Sequence, residues 1–325
     1  MIGGITMAKK VKIKKRNVGI AVGFLIVLIV AVIGIFKWKA KLEYQATNEY
    51  KLLEIGYTED ETKFLIENLK DEDLNKIIEN KTLDQNIIKL LNEKYFMYKH
   101  LDKYLTFINN NPDKDLTDVV ALINVGADKK WYEGITPTDT TKGAQLLVNK
   151  FHNLDSSFKD NLIDIKNWYA YDSAKLMDDE AYHAFISMFN AAKESDFNLI
   201  INSSYRSYEE QQLTYDDYRS RFGSEYADEY AARAGHSEHQ TGLAIDIAID
   251  SGYTTADWDT SPKFQWLQEN AHEYGFILRY PKGKEYITGY NYESWHYRYV
   301  GVDIATYIHE NNITFDEYYA YFLEG

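Results

Sequence analysis

Ser237-Glu238-His239-Gln240-Thr241-Gly242-Leu243-Ala244-Ile245-Asp246, continued by Ile247, Ala248 and Ile249, is the stretch on which the reading of the fold turns. From Leu243 onward the residues alternate. Leu243, Ile245, Ile247 and Ile249 fall on one side and Ala244, Asp246 and Ala248 on the other, the period of two that a strand requires. Asp246 thus stands between minimal side chains on an otherwise apolar strand. A carboxylate there is costly unless something pairs with it; a metal ion is one good partner, and small neighbours leave room for it. Gly242 permits a turn just before the strand, so that His239, seven residues earlier, reaches the same point as Asp246.

A second short string, Glu293-Ser294-Trp295-His296, adds a further imidazole. Two histidines and one aspartate make a donor set suited to catalytic zinc, with the fourth position left open. Glu293, three residues before His296, is read as a general base rather than a ligand. On a regular strand those two would face opposite ways, so a turn or bulge is expected between them. Each of these residues also has an ordinary use, the histidines as hydrogen-bonding residues and Asp246 as a strand-end cap, and the residues alone leave both open. His236 and His239 have helical spacing, but Gly235 and Gly242 oppose a helix, and His236 is read as a non-ligand. His272-Glu273 and His309-Glu310 lack the second histidine of an HExxH pair and are read as surface positions.

Outward from these strings the pattern is α+β: a small antiparallel sheet with flanking helices holding the metal site. Ala181, Phe185, Met188, Phe189 and Ala192 mark an amphipathic helix, and Asn198–Ser203 a strand. Ser207–Ala234 is helical and polar, Pro262–Tyr274 helical, and Ile277–Tyr280 and Trp295–Val300 strands. Earlier in the chain, Leu83, Ile87, Leu90, Leu91, Tyr95 and Tyr98 share a helical face, and Thr82/Gln85 and Thr58/Glu61 resemble capping boxes. Asn109–Asp115, rich in Asn with Pro112, is the expected domain boundary. The expected order is a basic tail over 1–17, a transmembrane anchor over 18–36, a helical spacer over 42–115 and the catalytic domain over 116–325.

The anchor rests on 19 unbroken apolar residues, Val18–Phe36, enough to cross about 30 Å of hydrocarbon. Lys9, Lys10, Lys12, Lys14, Lys15 and Arg16 precede it and only Lys37, Lys39 and Lys41 follow, so the N-terminus is expected inside and the bulk of the chain outside. The run exceeds a usual signal-peptide core and no small-x-small cleavage site closely follows it. After Lys41 the chain holds 27 basic against 50 acidic residues, about −23, which disfavours nucleic acid as a partner. There is no cysteine, so any metal site is built from His, Asp and Glu.

Ser-x-His-x-x-Gly-x-Ala-x-Asp at Ser237–Asp246, followed by Glu-x-Trp-His at Glu293–His296, resembles the VanY-type D-alanyl-D-alanine carboxypeptidases and their L,D-carboxypeptidase relatives. The resemblance takes in Ser204-Tyr205-Arg206-Ser207 with Gln211, Gly235–Gly242, and Trp295–Gly301, and more weakly Leu147–Lys150 and the closing helices; Ala234 stands where relatives often have proline. It implies zinc (Zn2+) on His239, Asp246 and His296, Glu293 as catalytic base, and Arg206 on the substrate carboxylate or developing oxyanion. Gln211 and Ser237 would help hold the peptide. A guanidinium also suits a terminal carboxylate on its own chemistry, since it binds one bidentately. The implied activity is removal of C-terminal D-alanine from a peptidoglycan stem peptide, with no organic cofactor. The alternatives are an endopeptidase or dipeptidase on the same scaffold and a non-catalytic zinc-binding module.

Overall fold

The alternating stretch becomes the centre of a four-stranded sheet. Its strands are β1 (Ile201–Ser203), β2 (Ala244–Ile247), β3 (Phe276–Leu278) and β4 (His296–Tyr299), antiparallel throughout in the order β1-β2-β4-β3. The computed structural model describes residues 15–159, 161–171, 173–249 and 255–324. Period-two patterning sorts the two faces. Ile245, Ile247, Tyr297 and Tyr299 join the main core with Phe185, Met188 and Phe189 of the helix Asp179–Glu194. Leu243, Ile245, Ile247, Phe185 and Met188 are all 2% exposed or less, and burial of such a side chain contributes roughly 1.5–3 kcal/mol. Asp178 caps that helix by accepting from Ala181 N. The opposite face of β2 and β4 carries Ala244, Asp246, His296 and Arg298.

The chain divides into two compact units, Met1–Asn92 and Glu93–Gly325. In the first, a 31-residue helix, Lys15–Gln45, includes one segment, Val22–Gln45, that is long and apolar enough to cross a membrane. Residues 1–14, most of the basic tail, lie outside the described residues. Four short helices follow, Asn48–Ile55, Glu59–Asn68, Asp71–Asn80 and Gln85–Leu91. They bury Leu52, Leu65, Leu74, Ile87 and Leu90. The Thr58/Glu61 capping box forms. The Thr82/Gln85 box does not: Asp84 is the cap, accepting from Asn86 N, while Thr82 Oγ1 donates to Asn80 O.

The apolar face expected to run from Leu83 to Tyr98 is broken after Leu91, where the Asn92 side chain takes Ile88 O. Tyr95 belongs to the second unit, stacked on Tyr321 at 4.1 Å. Lys94 donates to Asn311 Oδ1 in the same unit. The Asn109–Asp115 segment holds the last two residues of the helix Leu101–Asn110 and the turn that leads to the helix Leu116–Asn124, both helices inside the second unit, with Asp115 capping the latter. Tyr104 OH donates to Asn124 Oδ1 across that pair. These ties make residues 93–115 part of the larger unit, so the chain divides between Asn92 and Glu93 rather than at Asn109–Asp115.

Candidate active site

Register builds the site. Asp246 on β2 pairs directly with His296 on β4, and because both strands alternate, the two side chains share one face. His239 arrives on the one-turn helix Glu238–Thr241, which Gly242 closes at φ 73°. A Cβ on Gly242 would collide with Leu162 Cδ2 and come within 2.9 Å of Asp178 N. Only glycine meets both demands, the left-handed backbone and the close approach. That turn helix begins at Glu238, so it excludes His236, whose Nδ1 lies 2.8 Å from Asn149 O in a buried structural contact.

One donor atom from each of His239, Asp246 and His296 lies within 4.8 Å of the others. His239 Nδ1 is 2.7 Å from Ser204 O, an acceptor, so Nδ1 carries the proton and Nε2 turns its lone pair to Asp246 Oδ1 at 3.5 Å. His296 presents Nδ1 to the same oxygen at 3.1 Å, while its Nε2 lies 3.5 Å from Glu238 Oε2. Asp246 Oδ1, inside this cluster, is buried without a hydrogen-bond donor. Burial disfavours a charged His296, yet Asp246, Glu238 and Glu293 together raise its pKa to about 9. Burial likewise works against ionised Asp246, but the two histidines hold its carboxyl well below the usual range. A site with this preference for positive charge and this His2Asp donor set fits a zinc ion.

Glu293 sits in the turn expected before β4, where His296 N donates to Glu293 O at 3.3 Å. Its Oε2 lies 3.6 Å from His296 Nδ1. Burial pushes its pKa up to about 7, opposed by His296 and Arg206 and aided by Asp246. Arg206 is held on the other side: its backbone N donates to His239 O, Nη1 to Gln211 Oε1 at 2.8 Å and Nη2 to Ser203 Oγ at 3.2 Å. Gln211, 1% exposed, donates its amide to Ala232 O at 2.7 Å. One bond at each end of that amide thus runs within the protein, so Gln211 orients Arg206, with one N–H and one lone pair beyond these two bonds. All seven expected site residues, Ser237 among them, line one cleft of about 170 Å³, walled further by Tyr218, Tyr230, Tyr280, Tyr290 and Trp295.

Beneath the cluster lies a charged group that pattern reading did not find. Glu238, fully buried, accepts from Arg279 Nε at 2.7 Å and Arg298 Nη1 at 3.0 Å. Arg279 continues to Asp316 Oδ2 at 2.6 Å, and Arg298 to the carbonyls of Ala144, Leu146 and Tyr299. Burial alone would raise the Glu238 pKa, but the two guanidiniums outweigh it and hold the carboxyl well below its usual range. Its position next to His239 was the available signal; its partners come from distant elements. His272 and His309 stack on each other at 4.0 Å, away from this cluster.

The model of the family described as VanY, D-alanyl-D-alanine carboxypeptidase, matches residues 174–302. A Bacillus subtilis (strain 168) protein, YodJ, assigned as a carboxypeptidase, is 37% identical over 198 residues, covering 59% of this chain and 72% of that protein. A D-alanyl-D-alanine carboxypeptidase of Enterococcus faecium is 36% identical over 199 residues, 58% of this chain and 62% of its own length. Among solved structures, the LdcB LD-carboxypeptidase is 37% identical, with a TM-score of 0.54 over 59% of this chain and 92% of that one. The chain belongs to the VanY family of D-alanyl-D-alanine carboxypeptidases and is a hydrolase of that class.

Proposed function

We infer that the chain is a zinc carboxypeptidase that removes the C-terminal D-alanine of peptidoglycan stem peptides. The observation that carries this reading is the pairing of Asp246 with His296 across β2 and β4, with His239, Glu293 and Arg206 in the same cleft. His239, Asp246 and His296 would hold the metal, which when bound supplies a Lewis acid for the scissile carbonyl and lowers the pKa of water. Arg206, its fork oriented by Gln211 and Ser203, binds the free carboxylate of the substrate. Glu293 takes a proton from the attacking water and delivers it to the leaving amine as the C–N bond breaks. Burial raises the proton affinity of that carboxyl, which suits it to take a proton from water. The ring proton of His239, held by Ser204 O, keeps the opposite nitrogen free for a metal.

Arg206 favours an exopeptidase over an endopeptidase, because an internal bond offers no carboxylate to pair with it. Defined stem peptides with free and amidated C-termini, digested and weighed, test this: the free acids should release single D-alanine and the amides should react poorly. Equal cleavage of both would establish an endopeptidase. In the same reading the Val22–Gln45 segment anchors the chain with the Glu93–Gly325 unit outside the cell. Protease added to intact cells should then shave that unit; its full protection would reverse the topology.

A further inference from the structure

Beside the cleft, two consecutive helices carry aromatic residues that the reaction does not use. Tyr218 and Phe222 lie on the helix Tyr208–Phe222, and Tyr226 and Tyr230 on the helix Ser224–Tyr230. Gly223, at φ 89°, joins the two. The rings sit four residues apart and form a continuous ladder. Ring centroids are 6.1 Å apart for Tyr218–Phe222, 4.8 Å for Phe222–Tyr226 and 4.3 Å for Tyr226–Tyr230, the last pair stacked at 20°. The buried side of the same helices is formed by Tyr215 and Ala227, with Ala231 just after them and Tyr218 partly packed against all three, so Phe222, Tyr226 and Tyr230 are the rings of the ladder that this small core does not take up. Phe222, Tyr226 and Tyr230 remain 49%, 39% and 44% exposed. Both ends of the ladder, Tyr218 and Tyr230, line the cleft together with Arg206 and Gln211.

We propose that this ladder is a saccharide-binding platform, which holds the amino-sugar chain of peptidoglycan while its stem peptide occupies the cleft. The proposal rests on the peptidoglycan reading above and extends it to the sugar. A pyranose offers an apolar C–H face and a hydroxylated edge, and exposed tyrosines match both with a ring face and a phenol. Reach supplies the second argument, since a stem peptide of about five residues spans at most ~17 Å. The sugar that bears it must therefore lie on the protein surface at the cleft mouth, where the ladder begins. Charge supplies the third. Asp216 pairs with Arg219, Asp217 with Arg221 and Asp228 with Arg233, Glu225 and Glu229 add carboxylates beside Tyr226 and Tyr230, and the part of the chain after Lys41 is strongly acidic. Such a surface does not gather anionic polymers or lipids, whereas stacking on a neutral sugar needs no countercharge.

The test uses the full chain in detergent, a peptide-free N-acetylglucosamine oligomer as binding probe, and two substrates, a free stem peptide and the same peptide on its disaccharide. The oligomer should bind, and Tyr226→Ala and Phe222→Ala should weaken it about three- to tenfold each. The disaccharide-bearing peptide should show the lower KM, and Tyr226→Ala should bring the two KM values together. Leu213→Ala, a still more solvent-facing apolar change on the first helix, should do neither. Absence of oligomer binding, or a KM ratio indifferent to Tyr226→Ala and Phe222→Ala, overturns the proposal. Loss of a dimer in Phe222→Ala with an unchanged KM ratio would assign the ladder to contacts between copies, and also overturns it. Should neither peptide be hydrolysed, the peptidase reading fails, while oligomer binding still decides the platform.

Discussion

Replacing Glu238 should damage the fold and the metal site by separable amounts. The side chain is 0% exposed and accepts two charge-assisted hydrogen bonds, from Arg279 and Arg298. Glu238→Ala leaves Arg279 with Asp316 alone and Arg298 with only backbone carbonyls. Breaking a buried pair in this way costs about 3–5 kcal/mol. At roughly 2–4 °C per kcal/mol for a unit of this size, melting should fall by about 6–20 °C. Glu238→Gln keeps the shape and one acceptor oxygen, so the thermal loss should be smaller. It nevertheless removes the carboxylate facing His296 Nε2 at 3.5 Å. Loss of such a partner typically weakens metal affinity about 10–100-fold. The measurements are thermal unfolding of chelator-stripped protein, which keeps ligand stabilisation out of the melting point, and zinc affinity by competition with a chromogenic chelator. A Glu238→Ala chain that melts like the parent would refute the energetic argument. A Glu238→Gln chain with parental zinc affinity would show that His296 is oriented without it.

Three further outcomes follow from the same geometry. Glu293→Gln cannot accept a proton, so zinc content should persist while turnover falls by ~10² to 10⁴; Asp246→Asn should lose zinc as well, and zinc loss in Glu293→Gln would make Glu293 a ligand. Gly242→Ala places a Cβ against Leu162 and Asp178 at φ 73° and should cost roughly 2–4 kcal/mol, read as a lower melting temperature; parental stability would contradict the packing. Because the folded pKa of Glu238 lies below its ordinary value of 4.5, its contribution to stability is complete above that pH and is lost as pH falls towards the folded pKa. Melting temperature plotted against pH should therefore drop less steeply on the acid side in Glu238→Gln, and parallel curves would count against the ion pairs.

Local rules reach far in this chain because several signals are short-range. The strand from Leu243 follows from side-chain alternation, and the turn before His296 from the need to bring residues i and i+3 to one side. That His236 and His239 share no helix follows from the two flanking glycines alone. Three chemical facts also lie within the one-dimensional string: the length of the apolar run, the absence of cysteine and the split of charge along the chain.

Other features depend on what the chain meets after it folds. The helix expected across Leu83–Tyr98 stops at Leu91, because Asn92 caps backwards onto Ile88 O and Tyr95 finds a ring 226 positions away at Tyr321. Gln211 is also engaged by Arg206 and by Ala232, 21 residues on, a positioning contact that no local pattern announces. Glu238 reads as an ordinary polar neighbour of His239, and only the packing of β3, β4 and the closing helix brings Arg279, Arg298 and Asp316 around it. A hydrophobic period names the face a residue occupies, since that depends on its nearest neighbours in sequence. Which charge it meets there is decided by strand register and by contacts across tens to hundreds of residues, which is why the sequence by itself determined the strands and marked His239, Asp246 and His296 as candidates, and the tertiary structure alone decided which charges surround them.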